Sequence, residues 1–376
     1  MNVLIVVTHL LGTGHLRRAL TLAQSFAEAG HRVTLASGGT QVTGLSLETI
    51  RFVQLPPLKS DGTNFTTLLT GAGDLADTTY LARRQSALLD CLSHAPDVVI
   101  TELFPFGRRV LSAEFIALLE KAKAQADPPK ILCSIRDILA PPSKPSKARR
   151  TEALINALYD GVLVHADETA TPLEISWPVT KALKSKLYYT GFVAQPAPAP
   201  HPCLAGLAEV LVSAGGGAVG QPIFRAAMEA ARLTPDLTWR LLVGGTQPDA
   251  LIQALQRHRP SNVQIEAARP DFREMLNHAI CSVSMAGYNT AMDLLQTGIP
   301  ALLIPFDDGG EVEQALRAES LSALPGFDVL LAADMTPAIL ADRVTRLAKT
   351  ERRGRHSIAM DGAAETVRIT EELVGH

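Results

Sequence analysis

The stretch EVLVSAGGGAVGQPIFRAAMEAA, residues 209–231, decides the fold, because it runs from an apolar segment through a glycine loop into an amphipathic segment. The first six residues form a short apolar run, which is typical of a parallel strand covered on both faces. The last eleven residues place their apolar side chains at helical spacing. Strand, glycine turn and helix in this order form the repeating unit of parallel α/β sheets. The stretch therefore predicts a doubly wound α/β domain.

The same pattern recurs on both sides of this stretch. Downstream, apolar runs predict strands at residues 240–245, 262–268, 280–285 and 301–306. Upstream, they predict strands at residues 3–9, 32–37, 96–104, 130–135 and 160–165, with a helix after the first strand that Gly30 ends. The chain is therefore predicted to contain two Rossmann-like domains in tandem, facing a cleft at the carboxyl ends of their sheets.

Proline-rich sequence marks the predicted boundary. Residues 195–202, QPAPAPHP, contain four prolines, which exclude a helix interior or a central strand. We expect an N-terminal domain at residues 1–194, this linker, and a C-terminal domain at residues 203–356. A final helix within residues 357–376 is expected to pack back on the first domain, although periodicity alone cannot place it.

Composition excludes several classes of protein. Of the 376 residues, 47% are hydrophobic and 19% charged, which is typical of globular proteins and not of disordered ones. The net charge of −3 argues against general nucleic-acid binding. Four widely separated cysteines show neither metal-ligand nor disulfide spacing, which favours a reducing cytoplasm. No apolar run is long enough to span a bilayer, and the start of the chain is not typical of a leader peptide.

Two glycine-containing turns in the second half are a predicted nucleotide-binding site. Backbone N–H groups in such turns approach anions closely, and the helix dipole favours negative charge there. Taken alone, the first turn is equally consistent with an ordinary tight connection. The second turn, SMAGYNTAMDLL, adds hydroxyl, amide and carboxylate groups that could meet phosphate and ribose. The predicted donor-binding residues of the two turns are Gly215, Gly216, Gly217, Gly220, Ser284, Gly287, Tyr288, Asn289, Thr290 and Asp293.

At these residues the second half resembles the nucleotide-sugar half of B-type glycosyltransferases, above all the N-acetylglucosaminyltransferases that form peptidoglycan lipid II. The whole chain, including TELFPFGRR and AGYNTAMDLL, resembles a bacterial group of predicted glycosyltransferases. The resemblance implies that residues 203–356 bind the nucleotide sugar and residues 1–194 the acceptor. It also implies that Asp293 binds the ribose and that Gln314 contacts the donor sugar. Arg269 is also expected to contact the donor. Asp293 stands where the family has glutamate, and residues 307–310, DDGG, replace more basic residues, so the identity of the sugar stays open.

The stretch TGHLRRAL, residues 13–20, provides the predicted catalytic residue. His15 begins a helix at the carboxyl edge of the first sheet, where its imidazole could take a proton from an acceptor hydroxyl. The alternative is a capping or packing histidine. Gly12 and Gly14 form the turn, Arg17 is expected to bind phosphate or an anionic acceptor, and Arg18 is expected on a solvated helix face.

Further predicted acceptor or phosphate contacts follow other strands of the first half: Glu102, Arg108, Arg109 and Arg136. Glu102 could equally pair with a nearby arginine to stabilise its loop, and Arg136 with the following Asp137 is read first as a salt-bridged loop. Residues 58–84 form an unusually long connection, interpreted either as an amphipathic acceptor surface or as an ordinary helical excursion.

The resulting prediction is a glycosyltransferase that moves a sugar from a nucleoside diphosphate sugar, UDP-linked, to a small-molecule, glycan or lipid-linked acceptor. It is expected to need no metal or cofactor, to invert the anomeric centre and to act in the cytoplasm, with a peripheral membrane contact left open. Two alternatives remain. A nucleotide-sugar hydrolase is suggested by the Gly14–His15 turn with Arg18, and a non-catalytic nucleotide-sugar-binding protein is the other; a 2-epimerase is disfavoured.

Overall fold

A computed structural model describes residues 1–11, 13–61, 64–214, 220–245, 248–306, 312–354 and 358–375. The chain divides into two compact units. The first unit contains Met1–Glu168, Pro172–Val193 and Ala359–His376, and the second contains Thr169–Thr171 and Ala194–Ile358.

The first unit is built on a parallel sheet. Within its described residues the strand order is β3-β2-β1-β6-β7-β8-β9, and every neighbouring pair is parallel. The sheet strands are β1 (Asn2–Val7), β2 (Arg32–Ser37), β3 (Arg51–Gln54), β6 (Val98–Glu102), β7 (Lys130–Arg136), β8 (Gly161–His165) and β9 (Leu187–Tyr189). The helices of this unit are α1 (Gly14–Glu28), α2 (Thr78–Asp90), α3 (Ser112–Lys123), α4 (Pro145–Leu158), α5 (Lys181–Lys184) and α12 (Gly362–Val374).

The long connection at residues 58–84 is only partly helical. Strands β4 (Leu58–Asp61) and β5 (Asn64–Thr70) form an antiparallel hairpin, and α2 follows it. The interpretation as a purely helical excursion is therefore wrong, because residues 58–61 and 64–70 pair with each other as two strands before α2 begins at Thr78.

The second unit repeats the architecture. In the part of it that the structure describes, the parallel order is β12-β11-β10-β13-β14-β15. The strands are β10 (Glu209–Ser213), β11 (Thr238–Val243), β12 (Val263–Ala267), β13 (Cys281–Ser284), β14 (Ala301–Leu303) and β15 (Phe327–Val329). The helices are α6 (Gln221–Leu233), α7 (Pro248–Gln256), α8 (Phe272–Met275), α9 (Tyr288–Thr297), α10 (Glu313–Ser322) and α11 (Pro337–Leu347). The predicted doubly wound α/β fold is confirmed.

Each unit has its own hydrophobic core. In the first, Phe26 of α1 is fully buried against the sheet, and Val367 and Ile369 of α12 join the same cluster. In the second, α6 and α11 pack on the sheet around Phe224 and Trp239. Burying one such large side chain contributes about 1.5 to 3 kcal/mol. Because the cores fix the helices against the sheets, they also fix the loops at the carboxyl ends of the strands.

Candidate active site

The turn between β1 and α1 places His15 at the carboxyl edge of the first sheet. α1 begins at Gly14, and the amide of Arg17 donates to the carbonyl of Thr13, 2.9 Å away, closing the first helical turn. A side chain at Gly14 would meet no atom within 4 Å, so the turn opens onto free space. His15 keeps about a fifth of its side chain exposed. A group in solution can therefore reach its ring.

Glu102, the last residue of β6, orients His15. Its Oε1 lies 3.0 Å from Nδ1 of His15 and also accepts a hydrogen bond from Arg18. The hydroxyl of Ser134 donates to its Oε2 at 2.6 Å. Burial alone would raise the pKa of Glu102, but the charge of Arg18 and the hydrogen bonds from His15 and Ser134 hold that pKa below its usual value. Glu102 is therefore a carboxylate and can only accept hydrogen bonds.

The expectation for Arg18 is wrong. Its side chain is only 7% exposed and forms a buried ion pair with Glu102. The helix turns Arg18 toward the sheet and leaves Arg17 exposed, with its Nε 3.4 Å from Oγ1 of Thr13. The internal pairing considered for Glu102 does occur, but with an arginine 84 residues earlier in the chain.

The charge state of His15 follows from these contacts. The pKa of His15 is lowered to about 4. Burial is the main cause, the charges of Arg18 and Arg108 act in the same direction, and Glu102 opposes them. The ring is therefore neutral at pH 7. Nη2 of Arg18 also lies 3.3 Å from Nδ1, but the shorter contact is with Glu102, which only accepts. We therefore assign the hydrogen to Nδ1, which leaves a lone pair on Nε2. An imidazole in this form can act as a general base.

A buried hydrogen-bond chain continues from Glu102 into the sheet. Oγ of Ser134 lies 2.9 Å from Nε2 of His165, and Nδ1 of His165 lies 2.9 Å from Oγ1 of Thr190. Ser134 gives its only hydrogen to Glu102, so Nε2 of His165 must donate to Ser134. Burial lowers the pKa of His165 to about 3, so its ring is neutral and Nδ1 accepts from Thr190. All four groups are at most 2% exposed, and the chain holds Glu102 in one orientation.

The remaining predicted contacts of the first unit are dispersed around this pair. Arg108 has a left-handed backbone (φ 55°), and its Nε donates to the carbonyl of Thr8 at 2.6 Å. Arg109 is exposed and donates to the carbonyl of Phe106 at 3.0 Å. Arg136 ends β7 and donates from Nε to the carbonyl of Ile138. Arg108 is close enough to interact electrostatically with both His15 and Glu102, and its charge lowers the pKa of His15.

Gly12 lies outside the described residues, as do Gly215, Gly216 and Gly217. Gly220 immediately precedes α6. A Cβ at Gly220 would lie 2.6 Å from Cβ of Ala214, so only glycine lets the strand end and the helix start approach this closely. The amino terminus of α6 therefore lies directly after the glycine loop, as the sequence predicted.

The second glycine turn leads into α9. Gly287 precedes the helix in an extended conformation, and a Cβ there would meet nothing within 4 Å. Asn289 is exposed and Thr290 half-buried, while the guanidinium of Arg317 lies 5.7 Å from the ring centre of Tyr288. Ser284 is fully buried at the end of β13, and the described residues give its hydroxyl no hydrogen-bond partner.

Asp293 lies on α9 and is paired within the second unit. Its Oδ1 accepts from Nε of Arg273 at 2.5 Å, and burial raises its pKa although Arg273 opposes that change. Gln314 accepts at Oε1 from the amide of Phe306, 3.2 Å away. Arg269 forms a bidentate pair with Asp271, which raises the arginine pKa. A ribose contact by Asp293 would have to coexist with Arg273 or replace it.

Sequence reasoning missed Ser134 and His165, and it misplaced Arg18. A signal was present for both strand residues, since Ser134 interrupts the apolar run KILCSI and His165 ends the apolar run DGVLVH. Polar groups within buried strands need partners, and here they are partners of each other. The described residues contain no group of three or more histidines, cysteines, aspartates or glutamates that could hold a metal ion.

Comparison with known proteins finds a glycosyltransferase domain in the second half of the chain. Residues 215–372 match the model of the glycosyltransferase family 28 C-terminal domain. An uncharacterized glycosyltransferase of Methanosarcina acetivorans is 22% identical, over 97% of this chain and 96% of its own length. The second half of the chain therefore carries a glycosyltransferase family 28 C-terminal domain, and the chain as a whole is similar to a glycosyltransferase. The family domain and these relatives make it an enzyme that transfers sugar, which confirms that part of the prediction.

Two further comparisons give a sequence relative and a solved structure. The UDP-N-acetylglucosamine–N-acetylmuramyl-(pentapeptide) pyrophosphoryl-undecaprenol N-acetylglucosamine transferase of Rhodopseudomonas palustris is 30% identical over 46% of this chain and 50% of its own length. The crystal structure of Acinetobacter baumannii MurG superposes with a TM-score of 0.66 at 16% identity, covering 99% of each chain. The superposition establishes the B-type fold. In the described part of this glycosyltransferase, no helix is long and apolar enough to cross a membrane.

Proposed function

We propose that this glycosyltransferase moves a sugar from a nucleoside diphosphate sugar, UDP-linked, to a hydroxyl of an acceptor by a single inverting displacement that needs no metal. The observation that carries the proposal is the pair formed by His15 and Glu102. It combines a neutral, partly exposed imidazole with a buried carboxylate 3.0 Å from Nδ1.

In the proposed reaction, Nε2 of His15 takes the proton of the acceptor hydroxyl as the oxygen attacks the anomeric carbon. The bond between that carbon and the diphosphate oxygen breaks, and the diphosphate leaves with the electron pair. The imidazolium that forms keeps its Nδ1 hydrogen bond to Glu102, whose charge stabilises it. General-base catalysis of this kind typically contributes a factor of about 10² to 10⁴.

On the donor side, the proposal assigns the diphosphate to the amino termini of α6 and α9, at Gly220 and at Gly287 with Tyr288. Backbone N–H groups there are fixed dipoles that stabilise the developing negative charge. Asp293 is assigned to the ribose and Gln314 to the sugar. The UDP-sugar named for the Rhodopseudomonas relative supports a uridine donor. The acceptor stays open among small molecules, glycans and lipid-linked compounds, and a cytoplasmic location stays a prediction from the sequence.

A thermal-unfolding screen of nucleoside diphosphates and their sugars tests the donor. A ligand present at about 100 times its dissociation constant should stabilise the fold by about 2.7 kcal/mol. Uridine compounds are expected to stabilise it most. Stabilisation by another base alone would refute the UDP assignment, and stabilisation by none would refute the donor class.

A product assay separates transfer from hydrolysis. With the donor from the screen, the enzyme alone should release nucleoside diphosphate slowly, and a cell extract that supplies acceptor should accelerate the release. Rapid formation of free sugar without extract would instead favour the nucleotide-sugar hydrolase. That alternative uses the same histidine with water in place of the acceptor.

A further inference from the structure

A cavity of about 260 Å³ lies in the first unit, between α3, α4 and the segment that follows β6. Three cationic side chains line it: Arg109, Lys147 and Arg150. No acidic side chain is among its lining residues. Arg109 and Arg150 are near enough for their charges to repel, and this repulsion adds to burial in lowering the pKa of Arg109. Like charges held together without a counter-charge are unfavourable, so the arrangement favours binding of an anion.

The rest of the lining suits the same kind of ligand. Ser112 is the first residue of α3 and Ser146 the second residue of α4, and both line the cavity. These helices have 12 and 14 residues, so their positive ends add to the field of the three cations. Phe104 and Leu154 supply an apolar wall. The volume is slightly below that of a typical small-molecule pocket, so it fits a small ligand or the charged end of a larger one.

We propose that this pocket binds the phosphate group of a phosphorylated organic ligand through side chains of the first unit alone. Guanidinium groups grip phosphate oxygens through two parallel hydrogen bonds, and an ammonium adds a point charge. The donor residues belong to the second unit, whereas every residue that lines this pocket belongs to the first. The segment from Glu102 to Arg109 joins the pocket to the carboxylate that orients His15.

The phosphate could belong to the acceptor, an assignment that rests on the proposed function, or to an independent ligand. Phosphate recognition is common to both. If the phosphate belongs to the acceptor, a substitution in the pocket should reduce the acceleration of nucleoside diphosphate release by acceptor. If it belongs to an independent ligand, that acceleration should remain.

Calorimetric titration with inorganic pyrophosphate tests the site. The donor site is first saturated with the nucleoside diphosphate found in the screen, or left empty if none binds. Arg150→Ala should weaken pyrophosphate binding by about tenfold or more, because one charge-assisted contact is lost. Arg149→Ala is the matched control: Arg149 is the neighbouring arginine on the same helix, is exposed like Arg150 and does not line the pocket, so this variant should bind as the wild type does.

Equal binding by the two variants, or no binding by the wild type, would overturn the proposal. So would loss of pyrophosphate binding on Asp293→Ala with retention in Arg150→Ala, since that result would place the anion at the donor site. This readout does not require turnover, so a failure of the proposed function leaves it intact.

A second arm identifies the source of the phosphate. If Arg150→Ala loses the acceleration by cell extract, and phosphatase treatment of the extract abolishes the acceleration of the wild type, the phosphate belongs to the acceptor. If Arg150→Ala loses pyrophosphate binding but keeps the acceleration, the phosphate belongs to an independent ligand. Either result supports the pocket.

Discussion

Replacing Glu102 with glutamine tests the central contact of the candidate site. The substitution keeps the shape of the side chain and removes its charge. The Nδ1 hydrogen of His15 then loses its anionic acceptor, 3.0 Å away, and Arg18 loses its buried partner. Two separate effects follow, one on the reaction and one on folding.

The effect on the reaction can be estimated from the single hydrogen bond. A hydrogen bond to a charged group is worth about 1.5 to 3 kcal/mol. If that interaction stabilises the imidazolium only as it forms, its loss lowers kcat by about 10- to 150-fold. The effect on folding comes from Arg18, which is 7% exposed and becomes an uncompensated buried charge. Breaking such a pair costs about 3 to 5 kcal/mol.

The first unit contains a matched control for the folding effect. Arg84 is fully buried and forms an ion pair with Glu114, with its Nε 2.8 Å from Oε2, and the structure records no contact of this pair with His15. Glu114→Gln should therefore destabilise the protein as much as Glu102→Gln does, without lowering the turnover of folded molecules. Urea unfolding gives both stabilities, and release of nucleoside diphosphate in the presence of extract gives kcat per folded enzyme.

The reasoning is refuted if Glu102→Gln and Glu114→Gln reduce kcat by the same factor. It is also refuted if Glu102→Gln turns over like the wild type at a temperature where both are folded. Either result would mean that Glu102 supports the fold of the turn and does not act through His15.

Four further predictions test other residues of the proposed sites. His15→Ala should lower turnover by about 10² to 10⁴ while calorimetry shows nearly unchanged donor binding, and near-normal turnover would make His15 structural. Because burial lowers the pKa of His15 to about 4, kcat/KM should stay level as the pH falls from 7 and decline only near pH 4; a decline centred at 6.5 would contradict this. Ser134→Ala removes a competing donor to Glu102, so that acidic decline should move to higher pH, whereas a purely structural Ser134 would change the rate without moving it. Asp293→Ala should weaken nucleoside diphosphate binding by about 1.5 to 3 kcal/mol in calorimetry. Unchanged affinity would show that the carboxylate serves only its pair with Arg273.

Much of the fold could be read from local patterns. Apolar runs such as residues 32–37 and 130–135 mark strands almost to the residue, because a strand buried on both faces has no position for a polar side chain facing water. The short strands β3, β9 and β15 and the hairpin β4–β5 were not predicted. Polar residues interrupt β3, β4, β5 and β15, and β9 has only three residues, so none of them presents the apolar run that marks the other strands.

The candidate site was only partly predictable. A histidine directly after a glycine turn, at the end of an apolar strand, was enough to single out His15. The role of Arg18 was not, because helical periodicity gives the angle between Arg17 and Arg18 but not which of them the core turns inward.

The tertiary structure alone decided the contacts of Glu102. Arg18, Glu102, Ser134 and His165 lie on four different elements, spread over almost 150 residues of sequence. The parallel alignment of β6, β7 and β8 brings the last three side by side, and the packing of α1 on the sheet adds the first. A buried carboxylate persists only where its charge and hydrogen-bonding capacity are satisfied. Those partners meet because strand register and helix packing bring them together, which no local pattern in the sequence encodes.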